Sequence, residues 1–65
     1  MTENQHQQRV VSEKSELDGK IEKLNAFGKG DLFLTLPEAE QDRLRRQSTI
    51  MGMYSGVLGE RIAAF

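Results

Sequence analysis

Three arginines within four positions, Arg43, Arg45 and Arg46, form the one basic cluster of the chain. Guanidinium groups bind phosphates and carboxylates through paired hydrogen bonds, so the cluster could hold an anionic partner or ligand. Arg43 and Arg46 share a face of a predicted helix and Arg45 points elsewhere, so all three cannot meet one small anion. Arg61 adds a fourth candidate cation further along, and we expect these arginines to contribute to partner binding.

A second interpretation of the arginines is that they pair with acids of their own helix. Three acidic residues precede or interrupt the cluster: Glu38, Glu40 and Asp42. Ion pairs at a spacing of three or four residues are common on helix surfaces and contribute only a few tenths of a kcal/mol each, about 0.2–0.5. The arginines would then be solvated surface.

Residues 47–59 carry no charge, which is unusual for a helix in so charged a chain. On a helix, a small and uncharged face forms from Gly52, Ser55, Gly56 and Gly59. Three interior glycines disfavour a helix by roughly 2–3 kcal/mol in total, which a close-packed partner could offset. We predict this face as a second partner-binding surface, the alternative being that the glycines are merely tolerated.

The sequence indicates a binding protein rather than an enzyme. It has no cysteine and a single histidine, His6, and it lacks a Gly-rich phosphate loop and a zinc-protease motif. We therefore expect no catalytic residue, no metal site and no cofactor. Nine basic and ten acidic residues give a net charge of −1, which argues against strong DNA binding.

Two helices account for the apolar pattern of the chain. In the first, Val10, Leu17, Ile21 and Leu24 recur at helical spacing with Lys14 in the one gap. Gly28 and Gly30 predict a left-handed glycine cap at its end. A short helical turn over residues 31–36 should follow, with Phe33 closing the end of the hairpin.

The second helix is predicted to begin with a capping box formed by Thr35 and Glu38. Its stripe runs to the last residue: Leu44, Met51, Tyr54, Leu58, Ile62 and Phe65. Six residues from the two helices should be mutually buried, namely Leu17, Ile21, Leu24, Met51, Tyr54 and Leu58. The predicted fold is all-α, an antiparallel two-helix hairpin over residues 8–65 with a flexible tail over residues 1–7.

A lone hairpin of this size buries too little surface to be stable, so we expect a homo-oligomer, with a dimer favoured. The edges of the second stripe should form the interface: Ile50, Tyr54, Val57, Ala64 and Phe65. No apolar stretch is long enough to span a membrane, and the N-terminus does not have the pattern of a secretory signal. The cytoplasm is the expected location.

The chain is similar to a family of very short phage and prophage proteins related to an uncharacterised crAss-like phage protein. The matches extend over about residues 9–62: Arg9-Val10-Val11, Leu17, Lys20-Ile21, Lys23-Leu24, Phe27, Phe33, Leu36-Pro37-Glu38, Glu40-Gln41, Leu44, Gln47, Met51, Tyr54, Leu58 and Arg61-Ile62. It departs from that pattern at Gly52, Gly56 and Gly59, where larger or charged residues are expected.

This resemblance implies a phage or prophage origin and action in the host cell, but no biochemical activity. The leading hypothesis is a non-enzymatic module that binds a host protein and modulates host defence. A weaker resemblance, to the helical-hairpin sponges with which phages blunt cyclic-nucleotide signalling, gives the second: a small anionic nucleotide held between subunits by Arg43, Arg45, Arg46 or Arg61. A third hypothesis is a structural accessory that only self-assembles.

Overall fold

The computed structural model describes residues 4–65, which form three helices: α1 (Gln5–Gly28), α2 (Asp31–Leu34) and α3 (Glu38–Ala63). Helices α1 and α3 pack along one another in a rod of 51 × 15 × 13 Å. They are antiparallel, because the early Glu13 bonds to the late Tyr54 while Asn25 bonds to Ser48. The predicted all-α hairpin with a short helix in its connection is confirmed. Within residues 4–65, no helix is long and apolar enough to cross a membrane.

Helix α1 begins with a capping box that the sequence analysis missed. The Gln7 backbone N–H donates to Asn4 Oδ1 at 2.8 Å, and the Asn4 N–H donates to Gln7 Oε1 at 3.3 Å. These two bonds satisfy backbone donors that the first turn of a helix leaves free. Residues 5–7, expected to lie in the N-terminal tail, are therefore helical, and residues 1–3 of that predicted tail lie outside the described residues.

Both predicted helix ends in the connection were wrong in their details. No glycine among residues 4–65 has a positive φ; α1 ends through Lys29, whose right-handed backbone (φ −94°, ψ −6°) lets its N–H reach the carbonyls of the last turn. Pro37, not Thr35, precedes the first turn of α3, without a side-chain cap. The Thr35 hydroxyl instead donates to the Leu32 carbonyl at 2.6 Å, which closes α2.

The two long helices meet along a seam with alternating steps of three and four residues, the spacing of an antiparallel coiled coil. The seam positions of α1 are Gln7, Val10, Lys14, Leu17, Ile21 and Leu24, and those of α3 are Gln41, Leu44, Ser48, Met51, Ser55, Leu58 and Ile62. Among the described residues, only Val10, Phe33 and Leu58 are buried hydrophobic residues. The hairpin core is thus thin, as expected for two helices alone.

The predicted core is wrong at Tyr54, which is 44% exposed. The seam passes through Ser55, one residue further on, because the three-four spacing continues from Ser48 through Met51 to Leu58. Tyr54 lies beside the seam, where its hydroxyl donates to Glu13 and this bond raises the Tyr54 pKa. The sequence analysis assigned Tyr54 to the core because a large aromatic side chain is usually buried. A small polar side chain such as that of Ser55 does not indicate burial.

A polar layer interrupts the seam near its middle. Lys14 Nζ donates to Asp18 Oδ2 at 2.8 Å and to Ser55 Oγ at 3.1 Å, and the Ser55 hydroxyl donates to the other oxygen of Asp18. Ser55 is buried, so its hydroxyl needs these partners. Because the buried Ser55 hydroxyl meets both Lys14 and Asp18 in this alignment, the layer favours this register of α1 against α3.

Acid should weaken the hairpin through this layer. Hydrogen bonds from Lys14 and then Ser55 hold the pKa of Asp18 below its ordinary value of 3.8. Folding therefore favours the carboxylate, and this stabilisation is complete above about pH 4 and lost as the pH falls through the lowered pKa. In urea denaturation below pH 4, we expect the free energy of unfolding to fall more steeply in the wild type than in Asp18→Asn. Equal slopes would mean that Asp18 carries none of the acid sensitivity.

Candidate ligand-binding site

A cleft open to solvent lies at the end of the hairpin where the chain turns back. The end of α1, helix α2 and the first half of α3 meet there. The volume of the cleft is about 510 Å³, within the range of about 300–1,000 Å³ that is typical of small-molecule sites. The lining residues are Leu24, Asn25, Gly28, Lys29, Phe33, Leu34, Leu44, Arg45, Ser48 and Thr49. We call this the loop-end cleft.

An aromatic ring with a guanidinium over it forms the centre of the loop-end cleft. Phe33, 5% exposed, is held by the edge of Phe27, with ring centroids 6.1 Å apart and planes at 86°. The Arg45 guanidinium carbon lies 5.2 Å from the centre of the Phe33 ring, within cation–π distance. The buried Phe33 ring therefore supports the exposed Arg45 guanidinium, whose outer face can stack on a planar ligand.

The charge of the loop-end cleft is positive, since Lys29 and Arg45 are the charged residues among residues 4–65 that line it. Arg45 donates to Asp42 at 3.1 Å and to Gln41 at 3.4 Å. The Arg45–Asp42 pair is exposed on both sides, and exposed ion pairs contribute only about 0–1 kcal/mol. Arg45 can therefore exchange Asp42 for an anionic ligand at little cost in stability.

Asn25 and Ser48 add hydrogen-bonding groups to one wall of the loop-end cleft. Ser48 Oγ donates to Asn25 Oδ1 at 2.9 Å. This bond orients the Asn25 amide, whose two N–H donors have no partner within the described residues. An amide fixed in this way can donate to the edge of a base or to a phosphate oxygen.

The structure separates the four arginines that the sequence analysis grouped as a partner-binding surface. Arg45 alone lines the loop-end cleft. Arg43 donates to Glu40 at 2.8 Å on the helix surface, as the intrahelical interpretation predicted. Arg46 and Arg61 are exposed and form no ion pair within residues 4–65.

Three contributors to the loop-end cleft were missed: Asn25, Lys29 and the ring of Phe33 in a binding role. Phe33 was recognised only as the residue that closes the hairpin. One signal in the sequence could have indicated the cleft. Lys29 and Phe33 lie in the short connection between the two long helices, and an antiparallel hairpin brings that connection close to the start of the second helix and its arginine cluster. Nothing in the local pattern of α1 singles out Asn25.

The small face of α3 is open at two of its four predicted positions. A side chain added at Gly52 or Gly56 would meet no atom within 4 Å, whereas one at Gly59 would lie 3.3 Å from Lys14 Cε. Ser55, the fourth member, is buried in the seam rather than exposed on this face. Only Gly59 therefore has a steric reason within the chain to lack a side chain.

Alanine at Gly52 or Gly56 should therefore stabilise the protein by about 0.5–1 kcal/mol each, because helix propensity improves and nothing clashes. Gly59→Ala should gain less, since Lys14 must shift while it holds Asp18 and Ser55. Thermal unfolding of the three variants at matched concentration tests this ranking. Destabilisation by Gly52→Ala or Gly56→Ala would show that another chain packs against that face.

A second set of apolar side chains is exposed along α3, away from the seam. Ile50 is 64% exposed, Met53 69%, Tyr54 44% and Val57 50%; we call these four residues the outer stripe. Ala64 and Phe65, the other residues of the predicted oligomer interface, are also exposed. Their exposure keeps the outer stripe a candidate for the predicted oligomer interface.

Fold and site together define a small helical-hairpin protein with a ligand-sized, positively charged cleft. No three His, Cys, Asp or Glu side chains in the described part of the chain are grouped so that they could hold a metal ion. The chain belongs to the Sequestin family, whose model matches residues 4–64. That family name indicates sequestering, which is a binding role rather than a catalytic one. No curated protein and no solved structure matches the chain.

Proposed function

We propose that this protein sequesters a small anionic ligand of the nucleotide class in the loop-end cleft, without reacting with it. One observation carries the proposal: Arg45 lies over the Phe33 ring in a cleft where Lys29, the other charged lining residue in the described part of the chain, is also a cation. A nucleotide combines a planar base with negatively charged phosphate. Stacking and charge pairing are the two interactions that this arrangement offers.

The electrostatics of the cleft indicate which residues would hold the phosphate and which would hold the base. The carboxyl end of α1 lines the cleft through Gly28 and Lys29, where the negative end of the helix dipole disfavours a phosphate, and no residue of the first turn of α3 lines it. The phosphate must then be held by the Lys29 and Arg45 side chains. The base would stack on the outer face of the Arg45 guanidinium, which rests on the Phe33 ring, with the Asn25 amide donating to the edge of the base.

Sequestration needs only affinity and abundance. A protein that binds a signal stoichiometrically lowers its free concentration, and the ligand leaves unchanged when it dissociates. We propose that the chain is of phage or prophage origin, as its resemblance implies, and acts in the host cytoplasm on a signalling nucleotide of a defence pathway. The family name supports a sequestering role and does not say which ligand is bound.

A thermal-shift panel tests the proposal, with cyclic mononucleotides, cyclic dinucleotides, ADP-ribose and inorganic phosphate as probes. A ligand at 100 times its dissociation constant stabilises the folded state by about 2.7 kcal/mol, which is a large shift for a chain of this size. We expect at least one nucleotide to raise the melting temperature and inorganic phosphate to have a much smaller effect. No shift with any nucleotide would contradict the proposal.

A second candidate function is binding of a host protein, which was the leading hypothesis from the sequence. It is favoured by the exposure of Leu32 and Leu34, which are 70% and 71% exposed on α2. A pull-down from host lysate with wild type and with Leu32→Ser tests it. A partner retained by the wild type and lost from Leu32→Ser would support this function, and failure of both the panel and the pull-down would leave the self-assembling accessory.

A further inference from the structure

We infer that the outer stripe of α3 is covered by a second copy of this chain, with the two α3 helices antiparallel and centred near residues 53 and 54. The four side chains of the stripe form a continuous apolar strip along α3 that nothing in the described residues covers. Ile50 and Val57 lie two helical turns apart on one line, with Met53 on one side and Tyr54 on the other. These side chains are about half exposed or more.

The hairpin core is thin, which favours a permanent partner over an occasional one as the molecule that covers the outer stripe. Across residues 4–65, one hairpin buries only three hydrophobic residues, and two helices alone have little net stability at this size. A second copy is present whenever the chain is, and a two-fold axis lets one patch satisfy both copies. The outer stripe and the seam lie on different sides of α3, so the pairing leaves α1 in place.

The charged residues at one edge of the outer stripe favour one register of the two α3 helices. Arg46, Met53 and Glu60 are spaced by seven residues and so lie on one line along the edge of the outer stripe. An antiparallel pair centred at Met53 places Arg46 of each copy opposite Glu60 of the other. Neither Arg46 nor Glu60 has an ion pair within the described residues, whereas Arg43 and Arg45 are paired inside their own helix.

The other edge of the outer stripe is centred one residue further on, at Tyr54, which is compatible with a two-fold axis between residues 53 and 54. Gln47, Tyr54 and Arg61 form that line, so each Arg61 meets the neutral Gln47 of the second copy and no like charges face one another. The loop-end cleft opens on a different side of α3, through Arg45, Ser48 and Thr49. The dimer would therefore carry two separate clefts, each complete within one chain.

Charge reversal tests the register by sedimentation equilibrium. Arg46→Glu places one acid opposite each Glu60, and Glu60→Arg places one cation opposite each Arg46. Each variant alone should raise the dimer dissociation constant about tenfold or more, because two attractive pairs become repulsive. An equimolar mixture of the two variants should restore the dimer, since all four facing charges are again opposite.

Two further variants keep the test decisive. Arg45→Glu, the same substitution one residue earlier, should leave the dimer intact, and so should Gly56→Arg on the small face. Val57→Glu, which places a charge opposite Ile50 of the second copy, should abolish the dimer, with circular dichroism reporting whether the chain stays helical. A monomeric wild type overturns the inference. A dimer that survives both reversals, or dissociates with Gly56→Arg, overturns the proposed surface.

Discussion

Leu58→Ala is expected to unfold the protein at room temperature or leave it only marginally folded. Leu58 is the one side chain with no exposed surface in the described residues, and it lies in the seam opposite Val10 and Lys14. Truncating a fully buried leucine costs about 2–5 kcal/mol, which is comparable to the whole stability of a chain this short. Far-ultraviolet circular dichroism during thermal unfolding measures the effect.

The matched control is Leu32→Ala, the same change at a side chain that is 70% exposed. It should alter the free energy of unfolding by no more than about 0.5 kcal/mol. A Leu58→Ala variant that melts like the wild type, or a Leu32→Ala variant that is equally damaged, would contradict the seam described above.

Arg45→Glu is expected to weaken nucleotide binding roughly 100-fold, because it removes a charge-assisted contact and places a negative charge beside the phosphate. The fold should be nearly unaffected, since Arg45 is exposed and its ion pair with Asp42 is weak. Isothermal titration with the nucleotide that gives the largest thermal shift measures the loss. Phe33→Leu, which keeps an apolar side chain under the cleft, should also lose affinity, because the ring that holds the Arg45 guanidinium in place is gone.

Arg46→Glu is the control for this prediction, because Arg46 carries the same charge one residue further on and does not line the loop-end cleft. Its nucleotide affinity per chain should stay within about threefold of the wild type, even if the dimer dissociates. Equal losses in Arg45→Glu and Arg46→Glu would indicate general attraction by the basic cluster rather than a site.

The sequence predicted the hairpin because the apolar spacing of both helices is regular. Val10, Leu17, Ile21 and Leu24 define α1 without ambiguity, and even Lys14 was placed in the stripe. In α3 two apolar stripes overlap, and pattern alone could not say which one faces α1. The structure assigns the seam to the stripe through Ser48 and Ser55, because their hydroxyls pair with Asn25 and with the Lys14–Asp18 pair.

The loop-end cleft was only partly predictable, because the sequence does not fix the rotation of α3 about its axis. The basic cluster marked Arg45, but which of three neighbouring arginines faces the connection depends on the rotation of α3 about its axis. That rotation is set by long-range contacts at the seam. The glycines of the connection were expected to adopt left-handed conformations, yet a right-handed turn at Lys29 brings Phe33 back toward the helices instead.

The most direct test of the central claim is recovery of the ligand after binding. Wild type and Arg45→Glu are dialysed against the panel nucleotide with the largest thermal shift, and each protein is then heated and its supernatant analysed by chromatography. The account predicts that the wild type retains the nucleotide in proportion to its chains and releases it chemically unchanged, while Arg45→Glu retains little. Equal retention by the two proteins, or recovery of a converted product, would contradict sequestration in the loop-end cleft.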